Sequence, residues 1–229
     1  TWLNRLEDEL DNLRIALEWA LTSDVEAGLR IAAIPWRFWQ ARGYFEEIGA
    51  WLAQVLVRYN TVDTLHVQAL AVYSFCIFRR GNFPETIRIA EQSLQMARAL
   101  SDQQLEAFSL SLLGIFTLLQ GSMGAGVPLL EQGLAIYRDL GDKIGQATAL
   151  EWLSANHKDI ERARDFSSES LRLYRELGHL SGITNSLTHL ARLAIWMGDF
   201  SSPAPWLEEA LSISRQLGDQ TSEDEILTS

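Results

Sequence analysis

The chain has 229 residues, 47% hydrophobic and 21% charged, and carries 19 Lys and Arg against 30 Asp and Glu for a net charge of −11. That balance argues against this piece binding duplex nucleic acid, because neutralising phosphates needs clustered Lys and Arg. A single cysteine, Cys76, excludes a disulfide framework and indicates a reduced, cytoplasmic setting for a buried structural thiol, and no apolar run approaches the ~18 residues of a membrane span.

Trp2 to Leu21 reads as one helix, with Leu3, Leu10 and Leu17 seven apart and Leu6, Leu13 and Ala20 at companion positions. Residues 1–24 are expected to cap the helices C-terminal to them, and their leucine face is also a candidate for pairing with another copy. Thr1 in place of an initiating Met is expected for a fragment or processed chain. Thr22-Ser23-Asp24 closes this helix and can cap the next. Val25 to about Arg42 reads as a second helix rich in rings, with Trp36, Phe38 and Trp39, and Gly43 as its stop. Pro35 removes a backbone donor and should kink this helix or shift its start. Phe45 to Tyr59 returns as its partner.

From residue 67 onward a period is plain. Gly81-Asn82-Phe83, Gly121-Ser122-Met123 and Gly198-Asp199-Phe200 mark turns, and Leu100-Ser101-Asp102, Leu140-Gly141-Asp142, Leu177-Gly178-His179 and Leu217-Gly218-Asp219 mark the next boundaries. Asp102 to Asp142 is 40 residues, Asp142 to His179 is 37, and His179 to Asp219 is 40. Such a period belongs to stacked helical hairpins, which cannot bury their apolar faces singly. The spacing predicts hairpins at about 25–60, 67–100, 105–140, 144–177 and 182–217. Residues 220–229 are an acidic tail or a truncated repeat. The unit at 144–177 has lost three residues near Asn156 to Asp159, so its first helix should end about one turn early. Pro84, and Pro203 with Pro205, sit in the first turns of second helices, whereas Pro128 is an irregularity further in.

First helices bury Leu70, Tyr73, Ser74 and Ile77, or Leu187, Leu190, Ala191 and Ala194, while second helices offer small residues: Ala90 and Ser93, Gly126 and Gly133, Ala163, Ser167 and Ser170. This pattern resembles tetratricopeptide repeats in their lengthened form, over roughly residues 25 to 219. The resemblance implies an all-α fold, a right-handed superhelix of about five antiparallel hairpins plus the N-terminal helix. Trp2-Leu3-Asn4-Arg5-Leu6, Glu9, Asp11-Asn12-Leu13-Arg14, Ala16-Leu17 and Trp19-Ala20-Leu21, followed by Ala33 through Trp39, is similar to the segment opening the repeat region of large STAND-class signalling ATPases, including LuxR-type and AfsR-like bacterial transcription regulators. Pro35 departs from that pattern. The resemblance implies a non-catalytic sensor, with any ATPase module outside this chain, since no Gly-rich phosphate loop occurs in it.

If first helices line the inner face, as that likeness implies, the inward candidates are Arg30, Arg37 and Gln40, then Gln68, Phe75, Phe78 and Arg79, then Ser111 and Ile115, then Asn185, Thr188, Arg192 and Trp196. For the shortened unit the register is Glu151, Ala155 and Lys158, or Thr148 and Trp152; the former keeps Glu151 out of the core. Arginines beside rings suit an anionic group on an apolar ligand, or an extended peptide. The competing expectation is that the arginines pair with neighbouring glutamates and the aromatic stripe is core. His66, His157, His179 and His189 have no metal-site spacing, and no nucleophile with a base is visible, so neither metal nor cofactor is expected. A stand-alone adaptor for a partner protein or peptide is the alternative to the sensor.

Overall fold

In the computed structural model the chain is described over residues 2–217, 223, 226 and 227, with side chains for all of these but 2, 3, 37, 40 and 41. Every regular element among them is a helix, and the chain divides into two compact units at Gln120 and Gly121.

Unit 1 holds α1 (Trp2–Asp8), α2 (Leu10–Ser23), α3 (Val25–Ala33), α4 (Trp36–Arg42), α5 (Phe45–Leu56), α6 (Thr64–Arg79), α7 (Phe83–Ala99) and α8 (Gln103–Leu119). Two long helices expected from the sequence are each broken in two. The first breaks at Glu9, which has φ −98° and ψ 7° and takes a hydrogen bond from Asn12 Nδ2 at 2.6 Å. The resulting α1 places Glu7 where Tyr44 Oη donates to it at 2.8 Å and Arg42 pairs with it at 3.0 Å. The second breaks at Ile34 and Pro35, because proline has no N–H for the helical ladder. At the broken end Trp39 satisfies one of the carbonyls of the last turn of α3, donating its indole N–H to Ala32 at 3.0 Å. Leu10 and Leu17 of α2 turn inward onto Leu29, Phe38, Trp39, Ile48 and Leu52. Cys76 belongs to this core, and burial pushes its thiol up to about 12, as befits a packing residue.

Unit 2 holds α9 (Met123–Leu140), α10 (Lys143–Asn156), α11 (Ile160–Leu177), α12 (Leu180–Trp196) and α13 (Pro203–Leu217). Of the acidic stretch at 220–229, most lies outside the described residues; Glu223 accepts from Arg215 at 2.9 Å and Ile226 is buried.

Several of the boundary residues that the period marks are helix caps, although Ser122 makes no such side-chain bond. Asp63, Asn82, Asp102, Asp142, Asp159 and His179 each accept a hydrogen bond from the first turn of the helix they precede. Each Asp or Asn cap is worth about 1 kcal/mol. Gly141 and Gly178, ending α9 and α11, have φ of 69° and 63°, a left-handed conformation that suits glycine. The shortened unit is different. Helix α10 has 14 residues where α8 and α12 have 17, and it ends at His157 with φ −84° and ψ 135°. The chain there leaves the helix in extended form, so the joint needs no left-handed residue.

Small residues on second helices do more than make room. Ser93 on α7 lies 3.1 Å from the Val67 carbonyl of α6 and 2.8 Å from Ser109 Oγ of α8. One repeat pair later, Ser170 on α11 donates to the Ala147 carbonyl of α10 at 2.9 Å and accepts from Ser186 Oγ of α12 at 3.4 Å. The same buried hydroxyl thus ties three helices in each unit, satisfying its own polarity while permitting close approach.

Candidate functional site

Helices α10, α11 and α12 enclose a cleft of about 240 Å³ within unit 2. Its geometry begins with glycine. A Cβ on Gly182, in the first turn of α12, would stand 2.5 Å from the Tyr174 ring, and one on Gly145 of α10 would stand 2.4 Å from the Tyr137 ring. Without those atoms each ring lies flat against the start of the next helix. His179 stacks on the Tyr174 ring at 5.1 Å, and its Nδ1 caps the Gly182 N–H at 3.1 Å.

Held this way, Tyr174 donates its hydroxyl to Glu151 Oε2 at 2.7 Å, and Asn185 Nδ2 donates to Glu151 Oε1 at 2.9 Å. Glu151 is therefore a carboxylate fixed between three helices. On α12 the residues Asn185, Thr188, His189 and Arg192 follow at helical spacing along the cleft wall, opposite Ala155. Arg192 Nη2 donates to His189 Nδ1 at 2.9 Å, so the neutral ring carries its proton on Nε2. That Nε2 is buried without a hydrogen-bond partner. Burial, with Arg192 adding to it, lowers the His189 pKa, and the nearby Ser154 carbonyl opposes the shift without closing a hydrogen bond. Ser167, Thr184 and Thr188 also line the cleft, and their hydroxyls are donated to the carbonyls of Ser186, Leu180 and Thr184.

Of the residues named from sequence, the fold brings Glu151, Ala155, Asn185, Thr188 and Arg192 together at this cleft. Trp196, one turn beyond Arg192, is 68% exposed, and Lys158 sits exposed in the joint. Phe75, Phe78 and Arg79 belong to unit 1. There Phe75 packs on Phe45 at 5.1 Å, Phe78 stacks on Phe116 at 5.0 Å, and the Arg79 guanidinium lies 5.5 Å from the Phe45 ring. Arg30 pairs with Glu26 on its own helix. The side chains of Arg37 and Gln40 lie outside those described. Sequence reading did not assign Tyr174 and His189 to the site. For His189 the signal was present, since it stands four residues after Asn185 and three before Arg192; for Tyr174 it was the glycine eight residues on.

No protein-family model matches the chain, and no curated protein matches it. Solved structures do. BtubC (BKLC) from P. vanneervenii aligns with a TM-score of 0.73 at 15% identity, over 96% of this chain and 93% of that one. The Rap conjugation gene regulator of the plasmid pLS20, solved with the Phr* peptide, aligns at 0.71 and 12% identity over 89% of this chain and 57% of its own. A signal transduction ATPase with numerous domains, with a tetratricopeptide repeat sensor, from Pyrococcus horikoshii aligns at 0.59 and 13% over 93% and 37%. The fold is therefore an all-α array of tetratricopeptide-type helical repeats.

Proposed function

We propose that this chain is a non-catalytic peptide- or protein-binding repeat module, and that the cleft between α10 and α12 is where an extended ligand engages it. The observation that carries the reading is the Glu151–Asn185–His189–Arg192 wall, polar and fixed by hydrogen bonds, on a fold whose similar structures include a regulator solved with a peptide. At about 240 Å³ the cleft is smaller than the about 300–1,000 Å³ of an enclosed small-molecule site, and suits one or two residues of a longer ligand. Both Glu151 oxygens accept hydrogen bonds, His189 Nδ1 is taken by Arg192, and the neighbouring hydroxyls bond backbone carbonyls, an arrangement suited to recognition more than to proton transfer. The resemblance of Trp2 to Leu21 to the opening of STAND repeat regions supports a sensor role within a larger cytoplasmic signalling protein; an upstream phosphate-binding loop in the full gene product is the expected finding.

The test is selection of a random peptide library on the immobilised chain, followed by heteronuclear NMR with the selected peptides. Shifts centred on Asn185, Thr188 and Arg192 are expected, together with loss of capture by Asn185→Ala and Arg192→Ala. Capture that both variants retain, with shifts elsewhere, sinks the assignment.

A further inference from the structure

The charge that the cleft leaves unmatched identifies the chemistry of its occupant. An arginine-lined face favours an anionic ligand, yet the Arg192 guanidinium is engaged by His189 at 2.9 Å. Glu151 is in the opposite condition. Tyr174 and Asn185, which hold its oxygens, are neutral donors, and no ion pair among the described residues of unit 2 includes it. Neutral donors orient a carboxylate without cancelling its charge, so its remaining lone pairs are matched best by a cation. Further acceptors gather beside it. Asn185 has turned its Nδ2 to Glu151 and so presents Oδ1, and Thr188 has given its proton to the Thr184 carbonyl at 3.0 Å. The donors stand at the other end. Arg192 lies seven residues after Asn185 on α12, about 10.5 Å of helix rise. That span matches about three residues of extended chain.

We propose that the cleft receives a Lys or Arg side chain of a peptide, its ammonium or guanidinium on Glu151 and Asn185 Oδ1. This rests on the peptide-binding reading of the cleft. The chain's net charge of −11 steers a basic partner towards it, while Glu151 supplies the fixed contact.

The experiment compares two end-capped random peptide pools, one with Lys and Arg as its only charged residues and one with Asp and Glu, by retention and fluorescence anisotropy. The basic pool is expected to bind the unaltered chain, and Glu151→Gln is expected to weaken it about tenfold, as a charge-assisted hydrogen bond becomes a neutral one. Glu131→Gln, exposed on α9 and equal in net charge to Glu151→Gln, leaves binding within about twofold. Asn185→Ala, at an exposed position, weakens binding several-fold and serves as the second variant should Glu151→Gln fail to fold. Equal binding of the basic pool to all these variants overturns the inference, because net charge alone then explains it. Preference for the acidic pool, lost in Arg192→Gln, overturns it too but leaves the cleft as the binding site. Retention of neither pool overturns this inference and the peptide-binding reading together.

Discussion

Gly182 is buried in the first turn of α12 with the Tyr174 ring over it, whereas Gly124 of α9 is exposed and a Cβ there would meet nothing within 4 Å. Helix propensity favours alanine over glycine at either position by about 1 kcal/mol. At Gly182 the ring cannot give way, so Gly182→Ala is expected to destabilise the chain by about 2 kcal/mol net, while Gly124→Ala is expected to stabilise it by about 0.5 kcal/mol; urea midpoints of the two variants read the difference. His189 gives a second expectation. Its folded pKa is lowered, chiefly by burial, so when the pH falls through the ordinary imidazole pKa of about 6.5 the unfolded chain takes up a proton that the native chain refuses. Stability from this group is thus full above that range and is lost as pH falls towards the folded pKa. Chemical denaturation between pH 7 and 5 should therefore show a shallower decline for His189→Gln than for the unaltered chain.

In unit 2, α9 and α10 are the elements that depart from a regular repeat. Pro128 lies inside α9 and is exposed, where it denies the Gly124 carbonyl its ladder partner. Pro128→Ala should raise stability by about 1–2 kcal/mol, measured as a higher denaturant midpoint, the ladder gain outweighing the freedom that proline removes from the unfolded chain. In α10 the irregularity has a use. Its three missing residues come from its C-terminal end, so Thr148, Glu151 and Ser154 keep their places, with Ser154 Oγ donating to the Ala163 carbonyl at 2.7 Å. The two broken helices of unit 1 teach a different lesson. Leucine periodicity runs through Glu9 and aromatic residues run through Pro35, but the contacts of Glu7 with Arg42 and Tyr44, and of Trp39 with Ala32, are made only once the helices bend.

Over the whole molecule, burial is organised between neighbouring helices within each unit, as in other repeat arrays whose stability is a sum of local terms. Leu187→Ala, at a fully buried position of α12, is expected to cost about 2–5 kcal/mol. Native-state hydrogen exchange should show that loss mainly in α10 to α13, with the protection of α3 to α7 nearly unchanged; a uniform loss across the chain would falsify the local picture. The period, the turn glycines, the capping Asp and Asn residues and the all-helical class are legible in the sequence, because each is set by residues within a few positions of one another. The shortened α10 is legible for the same reason. The cleft is legible in part: Asn185, Thr188 and Arg192 share one helical face, which spacing alone predicts. That Glu151 is clamped by Tyr174 and Asn185, 23 and 34 residues away, was decided by the packing of three helices. So was the engagement of Arg192 by His189, because which charges meet and which stay unmatched depends on distances that only the folded chain sets.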